Sequence, residues 1–300
     1  MSNDQYPMTK KSKLTILLFL TVLSGCIRDV TIRENIKTRE LVLNCIPDAR
    51  KDTVTARLTW SKPIQPQMHF EAVENAAIRF FENGEAIGEF VWADSSTYIL
   101  PFSVTPGKTY RIEAEAGNQT VWAETTVPKT VEASIGVANP ENAPDHYLIS
   151  LQDDRENANF YWVSATGYEG IEENRGKNIA CLIYSNFEHA DDYNQYTSDN
   201  GFFKFEYDYY LRFADNQLPD GWTDVLFRPQ CIGMPIEVFL LSADYHLDKY
   251  MKSSLMLERM DLYAEDMPII YAPFPVYSNI HGGTGIFGSF SSASKVFTKN

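Results

Sequence analysis

Two short stretches near the C-terminus carry residues in patterns that perform chemistry elsewhere. Gly283-Thr284-Gly285-Ile286-Phe287-Gly288 has the glycine spacing of dinucleotide-binding folds, where a strand-to-helix turn cradles a pyrophosphate. That use requires a helix after the glycines and an acidic residue about 20 positions on. Only twelve residues follow Gly288, and they read as a strand. The glycines are therefore expected to serve a tight turn or a close backbone approach that a Cβ would block. Ser292-Ala293-Ser294-Lys295 matches the serine–lysine spacing of penicillin-interacting enzymes, yet five residues remain and neither partner motif can follow. The histidines at 69, 146, 189, 246 and 281 are scattered, with no pair at zinc-ligand spacing. His189 lies beside Glu188, Asp191 and Asp192, but this run lacks the spaced oxygens and glycine of a calcium loop. A glycosidase needs two carboxylates roughly 5–10 Å apart, and among 40 acidic residues the sequence nominates no pair. No catalytic residue, metal ligand or cofactor is proposed, and the chain is expected to be non-catalytic.

Binding has more to work with. Trp162, Tyr168, Tyr193, Tyr196 and Trp222 lie in or beside polar stretches of the second half. Exposed rings of this kind offer a flat apolar face with a polar edge, suited to a glycan or peptide ligand. The alternative for each ring is to fill the core of a β-domain. A net charge of −14 without a basic run argues against nucleic acid and against an anionic membrane surface.

The N-terminus reads as a lipoprotein signal. Lys10, Lys11 and Lys13 precede an apolar run from Leu14 to Leu23, about half the length a bilayer crossing needs. Leu23-Ser24-Gly25-Cys26 resembles a bacterial lipobox, in which cleavage before the cysteine lets its thiol carry diacylglycerol. Residues 1–25 are thus expected as signal peptide and 26–38 as a tether, with lipid on Cys26 as the link to the membrane. Cys45, Cys181 and Cys231 remain. An odd number cannot all pair; Cys181 and Cys231 could, but their apolar strand-like surroundings favour buried free thiols.

The elements that must position these groups are mainly β. Short alternating runs at 41–46, 53–60, 76–82, 87–92, 97–102, 109–116 and 119–127 suggest an immunoglobulin-like β-sandwich over residues 39–128. Asn83-Gly84 and Gly117-Asn118 suit two-residue hairpins. Pro128, Pro140 and Pro144 suggest a linker over 129–146. Runs at 147–152, 159–164, 179–184, 202–213, 223–228 and 235–242 indicate an antiparallel β-rich domain over 147–300. One amphipathic helix is expected near 244–260, with Leu247, Met251 and Leu255 on its apolar stripe and Ser242 or Asp244 as cap.

The layout resembles a family of Bacteroidota envelope lipoproteins catalogued as domain of unknown function 4249. Four features carry the likeness: the lipobox cysteine; LVLNCI followed by a strand ending WSKPI; AAIRFFENGEAIGEF with the hairpin PGKTYRIEAEAGNQTVWAETTVP; and the closing PFPVYSNIHGGTGIFGSF. In the last, Asn279, Gly283, Gly285, Phe287 and Gly288 match the family's motif and imply a structural role. The resemblance implies an outer-membrane lipoprotein, working as an accessory or ligand-binding partner of a TonB-dependent receptor in nutrient transport. Ile27-Arg28-Asp29 offers one acidic residue as a surface-export signal, so the periplasmic face and the cell surface both stay open. A surface adhesin or assembly component is the alternative, and a glycan or peptide hydrolase a third reading.

Overall fold

A computed structural model describes residues 39–61, 70–139, 141, 143–153, 158–168, 178–191, 208–231, 233–264 and 275–298. The segments expected as signal peptide and tether, Cys26 among them, lie outside the described residues, as do Tyr193, Tyr196 and residues 202–207 of the strand expected at 202–213. From Thr38 to Asn300 the chain forms one compact unit. The fold is mainly β, in several antiparallel sheets with one helix.

Nine strands come first: β1 (Leu41–Cys45), β2 (Val54–Trp60), β3 (Glu71–Ala72), β4 (Ala77–Glu82), β5 (Glu85–Glu89), β6 (Val91–Asp94), β7 (Thr97–Leu100), β8 (Thr109–Ala116) and β9 (Gln119–Thr126). Strict alternation builds them. In β8, Tyr110, Ile112, Ala114 and Ala116 turn inward while the residues between are left at the surface. One sheet runs β1-β2-β7-β6, with β3 on β2, and the other β5-β4-β8-β9. Their inner faces share one core, in which Leu43, Leu58 and Tyr98 of the first meet Ile78, Phe80 and Ile112 of the second. The hairpin glycines act as expected: Asn83 and Gly84 have φ of 48° and 87°, and Gly117 has 59°. At the start of β8, the Tyr110 hydroxyl accepts the Thr105 N–H at 2.8 Å and donates to Glu82 at 2.8 Å.

The remaining strands are β10 (Glu132–Asn139), β11 (Ala143–Gln152), β12 (Phe160–Tyr168), β13 (Asn178–Ala180), β14 (Leu182–Tyr184), β15 (Leu211–Ala214), β16 (Trp222–Gln230), β17 (Ile236–Ala243), β18 (Thr284–Phe287) and β19 (Phe290–Phe297). The sheet β10-β11-β16-β14 faces β13-β12-β17-β19, with β15 on β12. Ile149, Leu151, Val225 and Phe227 pack there against Tyr161, Val163, Val238 and Leu240. The stretch 129–146, expected as a linker, supplies β10 and the start of β11. Its strand signal was weak because only Ile135 of β10 is fully buried. Cys181 and Cys231 form a disulfide, which corrects the expectation of free thiols. The Cys181 N–H donates to Ala165 O on β12 at 2.9 Å, and Cys231 directly follows β16, so the bond ties one sheet to the other. Cys45 is the buried free thiol among the described residues, and burial pushes its pKa far up.

Helix α1 (Tyr245–Ala264) lies against β12 and β17 through Leu247, with Met251 and Leu255 beside it. Asp244 caps it, as one of the two residues expected: its Oδ1 accepts the Leu247 N–H at 2.8 Å and the Ser289 N–H at 3.2 Å, and its Oδ2 accepts the Thr125 hydroxyl. This buried carboxylate thus joins β9, the helix and the turn before β19. Burial raises its pKa above the ordinary aspartate range, and the bonds to Thr125, Leu247 and Ser289 oppose that rise without cancelling it. The linkage has a definite sign. Below the unfolded value of about 3.9 both states hold the proton; as pH rises from there toward the raised native value, the unfolded chain ionises first and stability falls. Asp244→Asn keeps the acceptor for the two N–H groups and removes the charge. Urea unfolding should therefore show the Asn variant gaining on the wild type as pH rises above about 4; a constant difference would contradict the assignment.

Residues 284–287, expected within the C-terminal domain, belong to the first sandwich. β18 pairs parallel with β1, setting Leu43 opposite Gly285 and Cys45 opposite Phe287. The glycines explain why this crossover fits. Gly285 has φ of 118°, and a Cβ there would lie 2.0 Å from Leu43 O; at Gly283 it would lie 2.4 Å from Leu41 O. At Gly288 it would press on Leu247 of the helix at 2.9 Å. The Asn279 side chain then clamps Phe287, accepting its N–H at 2.9 Å and donating to its C=O at 2.8 Å.

Candidate ligand-binding site

A concave feature of ligand size lies on the outer face of β16. In WTDVLFRPQ every second residue faces out, so Trp222, Asp224, Leu226 and Arg228 form one row while Thr223, Val225 and Phe227 turn inward. The segment Tyr184–His189 stands beside this row and His146 closes it from β11, enclosing about 640 Å³. That volume lies within the range of small-ligand pockets. Trp222 is 53% exposed, Leu226 48% and, on the neighbouring β14, Tyr184 47%, an uncommon concentration of open apolar surface on one sheet face.

Polar contacts fix the walls. The Arg228 guanidinium lies 5.4 Å from the centre of the Tyr184 ring. The Ser185 hydroxyl donates to Leu226 O at 2.6 Å and accepts the Phe187 N–H at 3.1 Å. Asp224 accepts the Ser150 hydroxyl at 2.5 Å. At the far end Asp145 bonds His146 at 2.9 Å, and this contact is the main cause holding its carboxyl below the ordinary aspartate range. The groove combines aromatic platforms with separated charges.

Of the expected ligand-binding residues, Trp222 lines this groove. Trp162 does not: it is 0% exposed, packed against the helix, with its Nε1 donating to Asp248 at 3.0 Å. Its place in a strand between two apolar neighbours was the signal for core rather than surface. Tyr168 sits half-buried at the end of β12, where its N–H donates to Pro235 O at 3.2 Å, away from the groove. Leu226 and Arg228 were not singled out from the sequence. Leu226 could have been, as an apolar residue in phase with Trp222, Asp224 and Arg228. Among the described residues no group of three or more His, Cys, Asp or Glu could hold a metal ion. No helix of the described residues is long and apolar enough to cross a membrane.

Comparison with curated proteins gives no match. Among solved structures, a DUF4785 family protein from Legionella pneumophila is similar at 10% identity and a TM-score of 0.24, over 70% of this chain and 53% of that one. A putative membrane anchored protein from Corynebacterium diphtheriae matches at 12% identity and a TM-score of 0.19, over 69% and 55%. The chain thus spans about half of either neighbour, and likeness this distant carries no argument. The profile of the family described as "Domain of unknown function (DUF4249)" matches residues 27–296, which begin directly after Cys26. The joint that seats β18 on β1 and the groove on β16 are therefore features of a chain that belongs to the DUF4249 family.

Proposed function

We propose that this chain is a lipid-anchored binding protein of the cell envelope, non-catalytic and accessory to a TonB-dependent nutrient transport system. The observation that carries the reading is the groove on β16, where Trp222, Leu226 and Tyr184 stay open to solvent in a pocket of ligand size. The Cys181–Cys231 disulfide supports an oxidising, extracytoplasmic setting. The lipobox at Cys26 supports anchoring, and the family resemblance supports the outer membrane of a Bacteroidota cell and a receptor as partner. The first sandwich reads as immunoglobulin-like: its orders β1-β2-β7-β6 and β5-β4-β8-β9 correspond to the ABED and C′CFG sheets, and Tyr110 stands where that fold has its tyrosine corner. Such a module suits a protein that presents a binding surface. The adhesin reading draws on edge strand β6, whose Val91 and Trp92 are exposed.

Two measurements test the proposal. Cys26→Ser should move the protein from the membrane to the soluble envelope fraction, and continued membrane attachment would refute the lipid anchor. The tagged wild type, extracted in mild detergent from cells grown on the transported nutrient, should bring down an outer-membrane barrel protein in near-equal amount. Recovery of the chain alone, or as self-assembled oligomers, would overturn the transport role.

A further inference from the structure

We propose that the groove takes an extended peptide, added to β16 as a further strand and carrying a basic residue between two apolar ones. This rests on the groove being the binding site, and deepens that reading.

The argument begins with backbone direction. β11 pairs with β16 along one side, from Trp222 to Phe227. On the other side β14 pairs only with Arg228–Gln230. Ile183 sends its N–H to Asp208 O at 2.8 Å, away from β16. In an antiparallel ladder successive residues alternate direction, so Leu182 and Tyr184 face β16, while Arg228 and Gln230 face β14. Counting back along β16, the N–H and C=O groups of Leu226, Asp224 and Trp222 point to that same side. The Ser185 hydroxyl bonding Leu226 O agrees with this phase. Among the described residues no other hydrogen bond reaches these groups from that side, and with respect to those residues the strand edge is open beside the groove.

Side chains then select the occupant. Trp222, Asp224 and Leu226 stand in a row on the outer face, and an added strand would set three alternate residues opposite them. Asp224 has only the Ser150 hydroxyl as partner and no ion pair among the described residues. Glu188, which lines the same groove 3.5 Å from His189, has its side chain 84% exposed, so the groove's carboxylates favour a cation. Trp222 and Leu226 on either side favour apolar residues. Thr223, which also lines the groove, is 5% exposed, and its Oγ1 has no hydrogen-bond partner among the described residues. From Trp222 to Leu226 the edge left free by β14 runs about 13 Å at roughly 3.3 Å per residue, room for about five extended residues. A sugar could stack on Trp222, but it would leave the alternating edge groups unused.

The test uses the purified lipid-free chain from Cys26→Ser and the labelled peptide acetyl-Thr-Val-Thr-Lys-Thr-Val-Thr-amide, followed by fluorescence anisotropy. Saturable binding is expected. N-methylation of the lysine nitrogen, which faces β16, should weaken binding about tenfold, whereas methylation of an adjacent threonine nitrogen, which faces out, should change it little. Replacing the peptide lysine by glutamate should cost about fivefold on the wild type and be rescued by Asp224→Lys. Equal losses from both methylations, or no charge-swap rescue, would overturn strand addition. If a neutral gluco-oligosaccharide binds instead and Trp222→Ala abolishes that binding, the peptide is refuted while the groove stands as the site. Saturation by neither probe would overturn both readings.

Discussion

Gly285→Ala should lower stability by about 4 kcal/mol or more, among the largest effects expected of a single methyl group. Two costs coincide. The residue holds φ of 118°, which L side chains rarely adopt, and a Cβ would lie 2.0 Å from the carbonyl oxygen of Leu43. That oxygen belongs to β1, in the middle of the first core, and cannot step aside without breaking the β1–β18 pairing. For a unit of this size each kcal/mol is worth about 2–4 °C in Tm, so calorimetry should show a fall of roughly 8–16 °C. Gly84→Ala is the control. It shares a positive φ of 87°, but a Cβ there meets nothing within 4 Å, so a loss of only about 1–2 kcal/mol is expected. If Gly285→Ala unfolded within 1 kcal/mol of the wild type, the reading of the motif as a joint would be wrong.

This motif also marks the limit of what sequence reasoning reaches. The hairpins at Asn83-Gly84 and Gly117-Asn118, the alternating strands and the helix with its cap were all legible, because each is specified by residues close together in the chain. That glycines at 283–288 admit a close approach was legible too, but their partner was not. Leu43 lies about 240 positions away, and no local pattern names it. The same limit explains the disulfide: apolar surroundings are as natural for a half-cystine as for a free thiol, and only the meeting of Cys181 with the end of β16 decides. Trp162 and Trp222 make the contrast in the site. Both are tryptophans in strands of the second half, and what separates them is whether a helix covers that face of the sheet. The helix does so for β12, while the outer face of β16 remains a groove.

How the helix covers that face supplies the second large effect. Arg212 of β15 is buried and forms a bidentate pair with Asp248 of the helix, Nε to Oδ1 at 3.1 Å and Nη2 to Oδ2 at 3.0 Å. Its Nη1 reaches Asp191 at 3.1 Å, which also takes Lys252 Nζ at 2.8 Å. Among the described residues two cations and two anions thus meet in a nearly dry site, and Trp162 Nε1 shares Asp248. Asp248→Ala strands the guanidinium beside one carboxylate already claimed by Lys252 and leaves a buried indole N–H without its acceptor. A loss of about 3–5 kcal/mol is expected by chemical denaturation, because the arginine has paid its desolvation and has lost its best partner. Net charge does not explain such a loss, since removing one acid from a chain at −14 would by itself ease repulsion. The discriminating variant is the pair Arg212→Met with Asp248→Leu. If the cost of Asp248→Ala comes from an orphaned charge, the apolar pair should recover most of it, as replacement of buried ion pairs often does. Loss in the double variant as deep as in the single would show instead that the ion pair itself holds the helix against β12 and β15.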